Sequence, residues 1–563
     1  MRNRRRLLAC EPLQKNSLAL LLFVATLGMT ALAFAAATAT VGTITPIGPV
    51  ASKAKCGAGD RVEAGIQGQI TLAERFAPGK AAAFNCNLTL IGQATDYGST
   101  MGFTITDKCA YFAKWYEPQL PATPKTGGVV VVDVADSAHP KVVKTLKTPA
   151  MYDANESPAV HLGRGLLIAQ RSDQSLEAGK TVDIYDVSNC TNPVLKFSGI
   201  IPGFVLHYAD ITRDGRTLWA SPGPDEGDTI SALDISDPTQ PKLLAQWKSP
   251  DSKALSRFHG VSISDDGNTL YSTIGRHFWK EKNVYPSEGM GVFDVSEVNA
   301  RKPGSKITML GGPLFWTDVG HNQYVFPMTI NGRNYAWQND IDGAIPVYDV
   351  RSTGRQFTGA LASRGYDGPQ ISAEEACRSG RPAWGYVSII DVEDPRTPKR
   401  VSSVRLALTE PKHCLAVAFD PTYSWQGYAA ANCDVDNYQD AKMIACGYGE
   451  AGVRVFDIRN VNQPREIAYY KPPATGSVPR EGSQYRIDYE PSSAAQRRRN
   501  HTGDAVAYVF FAKGGKEIWF NSYDNGFQVV RFSDELMARE QALFARDITC
   551  KGKLRGRHGC FDN

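Results

Sequence analysis

The chain has 563 residues, with 62 lysines and arginines against 58 acids, nine histidines and 11 cysteines. Residues 1–35 hold Arg2, Arg4, Arg5, Arg6 and Lys15 against Glu11 alone, so the small positive balance belongs to that segment and the rest is near neutral. This argues against a nucleic-acid binder, and the absence of any Cys-x-x-Cys pair argues against a zinc ribbon or a thioredoxin-type redox site.

The first segment reads as a secretory signal. Its cations precede an apolar run, Leu18–Leu32, followed by small residues at Ala33, Ala35 and Ala37. The run is short for a membrane anchor, which needs about 20 apolar residues. Arg4-Arg5-Arg6 faintly resembles a twin-arginine signal, and ordinary export fits as well. Cys10 lies ahead of the apolar core, so lipid anchoring is not indicated. The expected organisation is a signal peptide over 1–35, an extension over 36–84, a propeller over 85–535 and a tail over 536–563. The exported chain is expected to be periplasmic or secreted, monomeric and without a membrane span. Ten cysteines remain after the leader, which in that setting read as disulfides. Local pairs are expected for Cys56–Cys86, Cys433–Cys446 and Cys550–Cys560.

From Gly128 onward one motif recurs: a hydrophobic strand ending in Asp-Val or Asp-Ile, a polar turn often with proline, and another strand. Copies are Gly128–Lys141, Val182–Val194, Ile230–Lys242, Gly291–Gly304, Val387–Lys399 and Val453–Arg465, with Gly526–Ser533 a degenerate last copy. The repeated aspartate is expected to cap its turn through its side chain. Ahead of several copies stand strand pairs joined by Asp-Gly, as in His207–Pro222 and His259–Ile274, which mark hairpins. Four short antiparallel strands over roughly 50–60 residues make a propeller blade. The fold class expected is all-β, a seven-bladed β-propeller. Ile345–Val350 would give an eighth copy, but Arg351–Trp384 has no inner strands for it and reads as an insertion in the fifth blade. Cys86–Ala94 has no hairpin before it. The segment Leu88–Gln93 is therefore expected to pair with Phe527–Phe532, the N-terminal strand closing the ring.

These residues resemble the LVIVD-repeat family of exported bacterial propellers, loosely akin to YVTN-type propellers. The stretches that carry the resemblance are Gln67–Ala77, Cys86–Gln93, Ala445–Ala474 and Asp524–Ser533. It implies the fold and export, and no reaction or ligand. The chain departs from the family pattern at Arg351–Trp384 and Lys412–Gln426, loops where individual function can reside.

No Gly-x-Ser-x-Gly elbow, His-Glu-x-x-His, Walker loop or dinucleotide fingerprint is present. Histidines are the remaining candidates. His161, His207, His259, His321 and His413 fall at or near the starts of inferred innermost strands on blades two to six. His207, His259, His321 and His413 are the candidate ligands of a transition metal (copper, iron or zinc) at a mouth of the channel. Tyr208, Asp210 and Asp318 are candidate partners behind them, and Arg257 and Lys412 would bring positive charge to the same mouth. Each imidazole can equally bond a neighbouring blade. Asp434, Asp436, Asn437 and Asp440 suggest a calcium loop but lack its glycine and read better as a solvated turn. Asn339–Gly343 also reads as a turn. Trp279, Trp316, Trp337, Trp384 and Trp425 are packing or surface aromatics. The leading functional reading is a binding module for a protein, glycan or other surface component. The alternative is a metal-dependent oxidase or lyase using the channel histidines.

Overall fold

The computed structural model describes residues 45–75, 82–115, 127–154, 156–170, 181–223, 228–251, 255, 258–276, 287–344, 373–418, 420, 427–476, 478–488, 503–545, 554–556 and 558–561. The leader, Arg257, Trp279, Trp425, Cys550, the strand-like Ile345–Val350 and most of the insertion after Arg351 lie outside these residues.

Seven antiparallel sheets follow one another, five of four strands and two with a fifth. Each is a blade, and the count of seven stands. The innermost strands are Phe103–Ile105, Ala159–His161, Tyr208–Ile211, Val261–Ile263, Gly320–Ile330, Asn432–Val435 and Val506–Ala512. The repeated Asp motif forms the third strand of each blade, for example Gly128–Asp133 and Thr181–Asp186. Its middle residues are buried on both faces, Val129 to Val132 among them, because another blade packs on each side. Each such aliphatic side chain contributes roughly 1.5–3 kcal/mol. Fourth strands lie at the rim; that of blade one, Lys141–Leu146, is largely exposed, whereas that of blade six, Arg465–Lys471, is buried.

The capping role of the aspartate is visible bond by bond. Asp133, Asp186, Asp234, Asp294, Asp391 and Asp457 each accept the backbone N–H two residues on, at 2.9–3.1 Å. The next strand then pairs with a bulge, as between Val131 and Val132, which adds the twist a rim strand needs.

Polar side chains fasten one blade to the next. Asp210 accepts Ile263 N at 2.8 Å, and Asp434 accepts Phe511 N at 2.9 Å. Asn339 donates to Ala430 O and Ala431 O, and Asn521 to Thr100 O, which joins the last blade to the first. Asn339 and its neighbours therefore do not form a turn. They belong to strand Arg333–Asp342, where the amide is used between blades.

The N-terminal segment enters two sheets. Leu88–Ala94 is the outer strand of blade seven, in register Leu88 to Phe532 and Ala94 to Phe527. Phe84–Cys86, not foreseen as a strand, adds to the rim of blade six against Arg465–Lys471. Gly92 has no room for a side chain, since a Cβ there would stand 2.0 Å from Ser137 O of blade one.

Among the described residues four disulfides are present. Cys56–Cys86 and Cys433–Cys446 agree with the local pairing, the latter directly opposed across two strands. Cys109–Cys190 ties blade one to blade two, and Cys377–Cys414 ties the end of the insertion to the connection after blade five. Among the described residues no helix is long and apolar enough to cross a membrane.

Candidate metal centre at the channel mouth

The inner strands of blades three and four begin at one mouth of the channel, here called upper. His207 immediately precedes Tyr208–Ile211, and His259 lies two residues before Val261–Ile263. Their Nε2 atoms are 3.0 Å apart. Glu156, three residues ahead of Ala159–His161 in blade two, completes a group of three. Its Oε2 lies 3.2 Å from His207 Nε2 and 3.4 Å from His259 Nε2.

Each member is oriented from behind. His259 Nδ1 is 3.0 Å from Gln323 O, and a carbonyl can only accept. Nδ1 therefore carries a hydrogen, so that the neutral form of the ring turns the lone pair of Nε2 to the axis. The Tyr324 hydroxyl donates to Glu156 Oε2 at 2.7 Å and is itself hydrogen-bonded to the Tyr508 hydroxyl. Gly223 lies against the His207 ring, where a Cβ would stand 2.9 Å from Cγ. Glu156 has a φ of 59° and His321 one of 53°, a left-handed conformation rare for such residues. Backbone strain of this kind collects at functional sites.

Burial pushes the Glu156 carboxyl up, but the charges of His207 and His259 and the bonds from His207 and Tyr324 outweigh it and bring it to about 2. The carboxylate is ionised and nearly sealed, its side chain 4% exposed against 16% for His207. The open side of the group is thus the His207 side.

Three donors each about 2.1 Å from one ion stand roughly 3.0 Å apart at right angles and roughly 3.4 Å apart at the tetrahedral angle. The separations of 3.0, 3.2 and 3.4 Å span that interval. Among the described residues the other gathering of ligand-type atoms, Cys56, Asp60 and Cys86, is closed by the disulfide between its two sulfurs.

The remaining candidates fall elsewhere. His321 is buried beside the group, its ring 5.8 Å from that of His259 and its Nδ1 4.0 Å from Asp342 Oδ2. His413 is not brought to the axis. It ends the short helical turn Pro411–His413, and its nearest carboxylate is Glu410 at 3.7 Å. His161 ends its strand rather than starting it, so it belongs to the opposite mouth. There it meets Arg213 O and Arg164 N, a bond between blades. Asp210 and Asp318 do not stand behind the histidines. Asp318 is paired with Arg400 at 2.6 Å. Tyr208 is one step removed, its ring 4.4 Å from that of Tyr324. Lys412 is paired with Glu410. Trp316, Trp337 and Trp384 are buried packing residues. Asp436 and Asn437 bond their own turn, at Lys442 N, Met443 N and Gln439 N, as a turn without calcium does.

Glu156, Tyr324, Tyr508 and the Gln323 carbonyl carry no sequence motif. The one available signal was positional, since Glu156 precedes its inner strand much as His207 and His259 precede theirs.

The LVIVD repeat model matches residues 178–199, in the third and fourth strands of blade two. The chain thus carries an LVIVD repeat within a seven-bladed propeller. No curated protein matches the sequence. Among solved structures, a protein from Lactobacillus plantarum is similar at 10% identity and a TM-score of 0.38, over 68% of this chain and 89% of that one. Sqt1 from Chaetomium thermophilum is similar at 10% identity and a TM-score of 0.43, over 78% of this chain and 98% of that one. At these scores the fold rests on the strand pairings themselves.

Proposed function

We propose that this chain is an exported binding propeller whose ligand at the upper mouth is one first-row transition-metal ion, held by Glu156, His207 and His259. The observation that carries the reading is the set of three donor separations, 3.0, 3.2 and 3.4 Å, which suit a common ion. Two imidazoles and one carboxylate suit zinc, copper or iron better than calcium or magnesium. The buried carboxylate and the backing from Gln323 and Tyr324 support it further. Export is supported by the leader sequence and by four disulfides. The oxidase or lyase alternative would use the same ion, with substrate entering from the His207 side.

The test is metal analysis of the purified mature chain, with titration of zinc, copper and iron into chelator-treated protein. About one ion per chain is expected, lost in His259→Ala and in Glu156→Gln. Protein that is metal-free as isolated and binds none of the three ions above background would overturn the reading.

A further inference from the structure

The other end of the channel has a different chemistry. Tyr208, Tyr324 and Tyr508 form a layer beneath the metal-ligand group, and below it opens a cavity of about 460 Å³. Its walls include Phe103, Phe326 and Phe510. Its titratable carboxyl lining among the described residues is five aspartates, Asp107, Asp210, Asp436 and Asp440 with the buried Asp434, which keeps its proton up to near neutral pH, against Lys442 and Lys513.

This acidic mouth is already covered by part of the chain. After blade seven the helices Asp534–Arg539 and Gln541–Phe544 cross the lower face. They are anchored by Arg465, which pairs with Glu540 through two bonds of 2.8 and 3.0 Å. Leu543, Phe544 and Ala545 line the cavity. The chain returns to the axis as the hairpin Leu554–Gly556 with Gly559–Phe561, and at its turn His558 is buried. His558 Nδ1 lies 3.1 Å from Asp265 Oδ1, and its Nε2 3.3 Å from Asp210 Oδ1. In sequence that turn lies in a basic stretch, Lys551, Lys553, Arg555 and Arg557 all falling within seven residues of His558.

We infer that the lower mouth is a receptor for a basic peptide segment, and that the chain's own C-terminal hairpin is its resident occupant, to be displaced by a basic segment of a partner protein. Three independent features meet here. The mouth carries an excess of carboxylates, the tail sequence carries an excess of cations, and a buried tail histidine bonds one of the lining acids, Asp210, together with the neighbouring Asp265. Opposite charges across such a surface favour encounter and fix register. Tethering makes the tail's own binding intramolecular, so an outside segment must overcome its high effective concentration. The inference does not depend on the metal reading, which concerns the opposite mouth.

The test uses the full mature chain and a fluorescent peptide of residues 551–563 bearing Cys560→Ser. Wild-type protein is expected to bind the peptide weakly, because its site is filled. A variant with Arg555→Glu, Arg557→Glu and His558→Ala should release the tail and bind the peptide roughly tenfold or more tightly. That gain should fall as salt is raised and vanish when Asp210→Asn and Asp265→Asn are added. Equal binding by the two proteins, or none by a variant that melts like wild type, would overturn the inference. Should the variant fail to fold, hydrogen exchange on the wild type decides. Excess oligo-arginine should speed exchange in 554–561, and unchanged exchange counts against displacement.

Discussion

The two mouths of the channel are built on the same seven inner strands and have opposite habits. At the upper mouth the side chains just ahead of the strands converge on one point, and their backing groups leave few alternatives. At the lower mouth, where the strands end, the acids point to separate tasks: Asp210 and Asp434 fasten adjacent blades while also lining the cavity. One end concentrates donors on a single small object. The other spreads charge over a surface. A repeat fold permits both because strand starts and strand ends meet different loops.

The largest expected effect breaks the upper mouth alone. His207→Ala or His259→Ala should abolish stoichiometric metal, measured by elemental analysis, and leave peptide binding at the lower mouth unchanged. Loss of both activities together, in a protein with normal melting, would mean that the ends are coupled.

Asp434 sharpens the contrast from below. Burial raises its carboxyl to about 7, despite bonds from Phe511 N and Tyr438. The folded state therefore holds a proton that the unfolded state releases near pH 4. Stability from this group falls as pH rises from about 4 to about 7, by roughly 4 kcal/mol at most. Asp434→Asn keeps an acceptor for Phe511 N and does not titrate. Denaturation curves should show its advantage over wild type growing between about pH 4 and about pH 7 and levelling off above that; a constant difference would contradict the buried-acid account.

The tyrosine layer tests the separation itself. Tyr324→Phe removes the donor to Glu156 and should weaken metal binding by roughly 10- to 100-fold, as loss of a backing bond does. Gly223→Ala, which crowds the His207 ring, should act in the same direction. Neither should alter peptide affinity. The smallest effect is a control shared by both ends: Asp234→Ala removes one turn bond and should cost about 1 kcal/mol in chemical denaturation, with metal and peptide binding intact.

What the sequence made legible follows the range of the interaction. The turn aspartates were readable because their bonds span two residues, and the hairpins at Asp-Gly because the turn itself demands those residues. The pairing of Leu88–Gln93 with Phe527–Phe532 was readable from an outer strand without a hairpin of its own. Glu156 was not, because it reaches the site through blade adjacency and a left-handed backbone that no local pattern announces. His161 and His413 were placed by nearness to a strand, which does not say which end of the strand or which direction the ring takes. Asn339 failed for a related reason. Its amide serves a neighbouring blade, and a composition rule sees only a turn former.

The N-terminal segment's membership of two sheets has a consequence for the order of assembly. Phe84–Cys86 and Leu88–Ala94 are made first, yet their partners, Arg465–Lys471 and Gly526–Phe532, are made almost last. During synthesis these early strands must wait without partners while the intervening blades form. Contacts between the ends of a chain slow folding, and the waiting edges are open to pairing with other chains. Holding such a chain unfolded until it is complete avoids that interval, so the placement of one short segment favours late folding over folding blade by blade.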